Sequence, residues 1–439
     1  MMRALYSLAV WLAQPLVRRK LRRRAVAEPL YGEHLAERFG HYAQPAAAAG
    51  AGPLVWLHAV SLGETLAAAT LVTALRAQLP GMRLLLTHGT ATGRAAGVRL
   101  LQPGDVQVWQ PWDTVGAVRR FLAHFRPQLG LLMETELWPN LVAESAHAGV
   151  PLCLVNARLS EKSLHQAQCL AWLARPTYRG LHAAWAQSEA DAQRLRQLGA
   201  PVRGVMGNFK FDMAPNAAQL AQGRAWRGAN ARPVLMFASA REGEETMLIE
   251  IFKRNRPLAT VDIARAAPET IANAVQWLVV PRHPQRFDEV AALFTDAGYT
   301  VARRSQWHAD GPQAADIWLG DSLGEMALYF GLAHAALLGG SFAPLGGQNL
   351  IEAAACGVPV FMGPHTYNFA EAAQLSADVG AAFPCADLAE AVDRATAMLH
   401  KPQALEVAQQ AALGLGAAHR GAAQRTAQAL AAVLAEKRP

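Results

Sequence analysis

PVRGVMGNFKFDMAPN, residues 201–216, is where one series of apolar runs stops and before a second begins. Gly, Asn and Pro crowd into it, as they do in turns rather than in strand or helix interiors. Upstream, from residue 53, short apolar runs alternate with Ala-, Leu- and Arg-rich stretches of helical spacing: PLVWLHAV, RLLLTHGT, VQVWQP, QLGLLME, PLCLVNA and HAAWAQS. Downstream, RPVLMFASA at 232 opens the second series, which continues through WLVVPR, YTVARR, DIWLGD, AALLGG and PVFMG. Alternation of strand and helix implies parallel sheets with helices on both faces. The expected α/β fold is therefore two doubly wound domains, with ligands at strand carboxyl ends facing a cleft.

The expected division is residues 25–212 and 231–439, with 213–230 as the linker. Residues 402–437, rich in Ala, Leu and Gln, read as helical and fall in the second domain. The Ala-rich segment 41–53 reads as a loop, and 254–275 as an insertion of undetermined structure.

Bulk composition agrees with that architecture. A chain of 439 residues is too long for one ordinary core, and 52% hydrophobic with 17% charged residues fits a globular enzyme. The net charge of +7 points to an acidic partner: nucleic acid, anionic lipid or a phosphorylated substrate. Four cysteines, Cys153, Cys169, Cys356 and Cys385, show neither a CxxC pair nor a Cys/His pairing, so no zinc site or disulfide framework is indicated. The first seventeen residues, MMRALYSLAVWLAQPLV, are apolar apart from Arg3 and Gln14, and RRKLRRR follows at once. A secretory signal carries its charge before the apolar stretch, so residues 1–24 read instead as a membrane anchor, interfacial or marginally spanning, with a basic flank. The plain alternative is a helix packed on its own domain.

Several nucleotide chemistries lose their support. GTATGRAAG at 89–97 lacks the Lys-Ser/Thr of a phosphate-binding loop, no GxGxxG follows the first strand, and HExxH and Asp-x-Asp are absent. SLGE occurs twice, at 61–64 and 322–325, and Ser-x-x-Glu is the capping-box spacing. GGSFAPLGGQNLIEAAACGVPV, from 339, reads as a strand, a loop of small residues and a helix beginning near Gln348 or Asn349, with Glu352 one turn in. Such a helix start suits a phosphate or carboxylate. VPRHPQRF at 280–287 puts Arg282 and His283 at a strand end. METELWPN places Glu134 and Glu136 after an apolar strand, and GNFKFD places Lys210 at the domain boundary; each alone is equally an ordinary surface ion.

Taken together, HAVSLGE, METELWPNL, NARLS, GNFKFD, VPRHPQRF, DSLGEM and GGSFAPLGGQNLIEAAACGVPV resemble, in order and over nearly the whole chain, the 3-deoxy-D-manno-octulosonic acid (Kdo) transferases of lipopolysaccharide synthesis. The resemblance implies a GT-B glycosyltransferase fold of two Rossmann-like domains facing a cleft, an N-terminal membrane anchor, and a position on the cytoplasmic face of the inner membrane. It implies transfer of Kdo from CMP-Kdo to a lipid A precursor, without metal or cofactor. The implied partners are that donor, that acceptor and the anionic membrane surface, with no nucleic acid. Carried over by position, the catalytic base is Glu64, and the transition-state stabilisers are Glu134 and Lys210. The CMP contacts are Pro281, Arg282, Leu323, Gly324, Glu325, Asn349, Leu350, Ile351 and Glu352. SAREGEE at 239–245 departs from the family's more usual Ser-Thr-His before Glu-Gly-Glu-Glu, which leaves Arg241 as the substitute for any donor-carboxylate contact made there. A GT-B transferase using a UDP-sugar on a lipid acceptor is the competing expectation.

Overall fold

A computed structural model describes residues 2–44, 52–212, 214–254 and 275–436. Most of the Ala-rich loop and nearly all of the expected insertion lie outside the described residues. The chain forms two compact units, Met1–Asp212 together with Arg420–Pro439, and Met213–His419.

The first unit is built on strands β1 (Leu54–His58), β2 (Arg83–His88), β3 (Val106–Trp109), β4 (Leu129–Met133), β5 (Leu152–Ala157), β6 (Ala183–Ala186) and β7 (Val202–Val205). They make one seven-stranded sheet in the order β3-β2-β1-β4-β5-β6-β7, parallel at every pairing. Every residue of β1, β4 and β5 is buried, the reason these strands read as unbroken apolar runs rather than alternating ones. Strand order reverses between β1 and β4, and loops leaving the carboxyl ends of two such neighbours diverge to leave a crevice.

One face of the sheet is covered by the helix Leu62–Gln78 and by the helix Ala422–Ala435, whose Leu430, Val433 and Leu434 enter the same core as Val55, Leu57 and Leu131. The expectation that residues 402–437 belong wholly to the second domain therefore fails at its end. Asp212 explains the junction: its carboxylate accepts the backbone N–H groups of Gly421, Ala422 and Ala423 at the start of that helix. An apolar helix face can be read from sequence, but not the unit that will cover it.

The amino-terminal segment makes two helices, Met2–Leu12 and Gln14–Ala27, the second with Pro15 in its first turn. No helix of the described residues is long and apolar enough to cross a membrane. The first helix is tied to its own unit. Tyr6 Oη donates to Asp113 Oδ2 at 2.8 Å, Ser7 Oγ to Asn140 Oδ1 at 2.8 Å, and Arg3 approaches Glu144 at 3.8 Å. On other faces of these helices Leu5, Leu8, Trp11, Leu12 and Leu16 are each more than half exposed.

The second unit holds β8 (Val234–Ala240), β9 (Gln276–Pro281), β10 (Val301–Arg303), β11 (Ile317–Leu319), β12 (Ala335–Leu338), β13 (Val360–Met362) and β14 (Ala382–Pro384). The sheet is again parallel, in the order β10-β11-β9-β8-β12-β13-β14, so the reversal falls between β8 and β12. Gly339 marks how closely the two strands run there: a Cβ on it would sit 2.1 Å from Ser239 O. The expected linker contains a helix, Ala217–Gly228, packed on the helix Met326–Leu332 through Gly223, where a Cβ would lie 2.2 Å from Leu328 O. Small residues at that contact let the two backbones approach.

Candidate active site

In the first unit the expected catalytic residues converge on the switch point. β1 ends at His58 and the next helix begins at Leu62, capped by Ser61, whose Oγ accepts from Glu64 N at 3.4 Å. Glu64 reaches back past the N-cap backbone that a strict capping box would use: Oε2 accepts from Val60 N at 2.8 Å and Oε1 from Ser61 Oγ at 3.1 Å. The carboxylate proposed as base is thus also a capping group. Burial nonetheless outweighs those hydrogen bonds, and with the charges of Glu134 and Glu136 nearby the carboxyl is pushed up to about 7.

Glu134 is the first residue after β4. It holds a left-handed backbone, φ 56°, which a residue with a Cβ adopts at a cost of about 1–3 kcal/mol. Its carboxylate lies 3.9 Å from Lys210 Nζ. Lys210 is carried by a single turn, Phe209–Asp212, that the β5 and β6 strand ends position. Asn156, also left-handed at φ 51°, accepts from Phe209 N at 3.1 Å, and its carbonyl accepts from Gln187 Nε2 at 2.9 Å. Gln187 Oε1 in turn accepts from Asn208 Nδ2 at 2.9 Å, and Asn208 Oδ1 from Lys210 N at 3.0 Å. Sequence reading missed this chain of amides; the Asn of NARLS and the Asn of GNFKFD were its visible signs. Glu136 accepts from Trp138 Nε1 at 3.0 Å, and takes no part in the Glu134–Lys210 pair.

In the second unit the expected CMP contacts fall on three loops at strand carboxyl ends. Pro281 is the buried last residue of β9, and the exposed Arg282 follows it, its Nε donating to Gln348 Oε1 at 3.1 Å. Leu323, Gly324 and Glu325 follow β11. Leu323 is 73% exposed, Gly324 has φ 77°, and Glu325 pairs with Arg304 at 2.8 Å. This second SLGE does not form a capping box. Ser322 Oγ bonds to the Glu325 carboxylate, and the helix begins only at Met326, so Glu325 is the residue before it rather than three residues in.

After β12 the helix begins at Ile351, later than expected, and runs only to Ala355. Asn349 Oδ1 accepts the Ile351 N–H at 3.2 Å, and Asn349 Nδ2 donates to Glu352 Oε1 at 3.1 Å. Leu350 and Ile351 have buried side chains, leaving only their backbone for a ligand. One donor of the expected helix-start anion site, Ile351 N, is thus already held by Asn349. Three backbone donors of the preceding loop are taken: the fully buried Glu244 accepts from Gly340 N at 2.7 Å, Phe342 N at 3.2 Å and Ala343 N at 3.3 Å, and also from Arg241 N at 2.9 Å after β8. The Glu-Gly-Glu-Glu string was the signal for it. Beside these loops a cavity of about 310 Å³ is lined by Gly324, Glu352, Asn216, Gln219, Phe330 and Cys356. Gln219 Nε2 donates to Gly324 O at 3.1 Å, and burial raises the Glu352 carboxyl above its ordinary range. Among the described residues, no cluster of His, Cys, Asp and Glu could hold a metal ion.

Two parallel-sheet α/β units, each with polar and charged side chains gathered at strand carboxyl ends, resemble the GT-B fold class. A glycosyltransferase from Rickettsia africae has this fold, with a TM-score of 0.56 at 10% identity over 88% of this chain and 100% of that one. So does a UDP-GlcNAc 2-epimerase from Neisseria meningitidis, with a TM-score of 0.54 at 14% identity over 86% and 99%, so the fold by itself does not choose the reaction. The family model of 3-deoxy-D-manno-octulosonic-acid transferase (kdotransferase) matches residues 33–213. A 3-deoxy-D-manno-octulosonic acid transferase of Bordetella pertussis is 46% identical over 98% of both chains, and one of Haemophilus influenzae is 30% identical over 97% of both. The chain belongs to the Kdo transferase family and is a Kdo glycosyltransferase.

Proposed function

We propose that the enzyme moves Kdo from CMP-Kdo to a lipid A precursor, lipid IVA, with inversion at the anomeric carbon and release of CMP. The observation that carries this reading is Glu64: a carboxyl held near neutrality at the switch point, with the Glu134–Lys210 pair on the adjacent strand end. A general base works best when its pKa lies near the working pH.

An acceptor hydroxyl attacks the anomeric carbon and its proton passes to Glu64. The new C–O bond forms as the bond to phosphate breaks, and the electron pair leaves with CMP. A single displacement of this kind inverts the centre and needs one base. Glu134 holds Lys210, whose cation offsets charge in the transition state. Arg282 meets the phosphate, the 323–325 and 349–352 loops hold the nucleoside, and Pro281 sets the backbone before Arg282. The exposed Leu5, Leu8, Trp11, Leu12 and Leu16, followed by RRKLRRR, support a segment lying on the anionic cytoplasmic face of the inner membrane.

Incubation of the purified protein with CMP-Kdo and a tetra-acylated lipid A precursor, followed by mass analysis, tests the reading. The expected product is the precursor carrying added Kdo. Turnover with UDP-sugars but not with CMP-Kdo would replace it.

A further inference from the structure

The donor named above carries two anions on one carbon: the anomeric centre bears both the phosphate ester and the sugar's own carboxylate. A site for it needs two neighbouring cations, and the second unit has them. Ala240 at the end of β8 and Pro281 at the end of β9 are register partners, so Arg241 and Arg282 follow side by side on adjacent parallel strands. Arg282 N donates to Ala240 O at 2.9 Å, which fixes the two loops to each other. Both side chains reach the loop after β12. Arg282 Nε holds Gln348 Oε1, and a Cβ on Gly340 would touch Gln348 Nε2 at 3.2 Å and Arg241 Cγ at 3.4 Å.

Three of the loop's backbone donors, those of Gly340, Phe342 and Ala343, are already taken by Glu244. The Arg241 guanidinium meanwhile holds a carboxylate. Glu242 Oε2 lies 2.9 Å from its Nε, and Glu242 Oε1 lies 3.7 Å from His283 Nε2. Glu242 is half exposed, so this is an ion pair that water screens and a ligand can displace.

The geometry points to Arg241 as the residue that binds the donor's sugar carboxylate, with Glu242 standing in for that carboxylate when no donor is bound. Arg282 then takes the phosphate. The division rests on the CMP-Kdo reading and adds to it a basis for choosing a sugar acid over a neutral sugar. An Arg fork suits a planar carboxylate, and Lys keeps only the charge.

The test compares the full-length enzyme with Arg241→Ala, Arg241→Lys and Glu242→Gln, measuring KM for CMP-Kdo and, by calorimetry, the affinity for CMP, which lacks the carboxylate. Arg241→Ala is expected to raise KM at least tenfold while CMP affinity stays within twofold, which also shows the variant to be folded. Arg241→Lys is expected to recover part of the loss. Glu242→Gln, freeing Arg241, is expected to lower KM severalfold without changing CMP affinity. Equal loss of CMP and CMP-Kdo binding in Arg241→Ala makes Arg241 a phosphate ligand and overturns the assignment, as does an unchanged KM. An unchanged or higher KM in Glu242→Gln removes the stand-in. Wild-type protein that binds CMP but turns over no CMP-Kdo defeats the donor reading itself, and the carboxylate site with it.

Discussion

Glu64 shows how one carboxylate serves two ends. Its capping contacts fix its direction, while burial and two neighbouring acids keep its proton affinity high. Glu64→Gln keeps the shape and one carbonyl oxygen that can accept from Val60 N as the carboxylate does. It should lower kcat by about 10²- to 10⁴-fold with CMP affinity unchanged; activity like the wild type would remove Glu64 from the base role. In the wild type kcat/KM should rise with pH through a midpoint near 7 as the base deprotonates, and that limb should vanish in the variant. Stability runs the other way. The folded pKa is raised, so the native state binds more protons than the unfolded chain between the ordinary carboxyl value and about 7. The contribution from Glu64 is full at low pH and is lost as pH rises through that window. Above neutrality, Glu64→Gln should therefore melt at a higher temperature than the wild type, and a lower melting temperature would show that capping by the charged group dominates.

At the scale of elements, strands were the most legible feature. Central parallel strands are buried on both faces, so LVWLH and LGLLM carry the signal in every residue. The two SLGE strings were legible as helix signals but not as to register. At 61–64 the helix begins at the second residue of the string, and Glu64 reaches back to Val60 N. At 322–325 the positive φ of Gly324 delays the helix until Met326, and the Glu is spent on Arg304. In the glycine-rich loop after β12, spacing shows that donors exist, not that a buried Glu244 some hundred residues earlier fills those of Gly340, Phe342 and Ala343. Motif order located Glu64, Glu134, Arg282 and Glu352, whereas the supporting amides Asn156, Gln187 and Asn208 come from three separate segments and have no common pattern. One element contact is directly testable. Asp212 caps the helix Ala422–Ala435, and Asp212→Ala should cost about 0.5–2 kcal/mol of the first unit's stability in urea unfolding, with Asp212→Asn costing less. No change in either variant would show that the cap is not needed.

At the scale of the whole molecule, the amino-terminal helices combine attachment to their own unit with an exposed apolar surface and six basic residues in RRKLRRR. Binding to anionic vesicles should weaken as salt rises from about 0.1 M to about 1 M, because a surface polybasic segment is screened over a Debye length. Replacing Leu5, Leu8 and Leu12 by Ser should release the protein into the supernatant on sedimentation; undiminished binding would place the contact elsewhere. The helix Ala422–Ala435 bears on how the protein is made. The second unit is one continuous segment and can complete its core as it leaves the ribosome. The first unit cannot, because Leu430, Val433 and Leu434 belong to its core and residues 213–419 must be synthesised before they arrive. At ordinary translation speed that interval is on the order of tens of seconds. For that time the nascent chain shows a greasy, half-covered sheet to solvent, and a chaperone that shields it would act on the part made first and finished last.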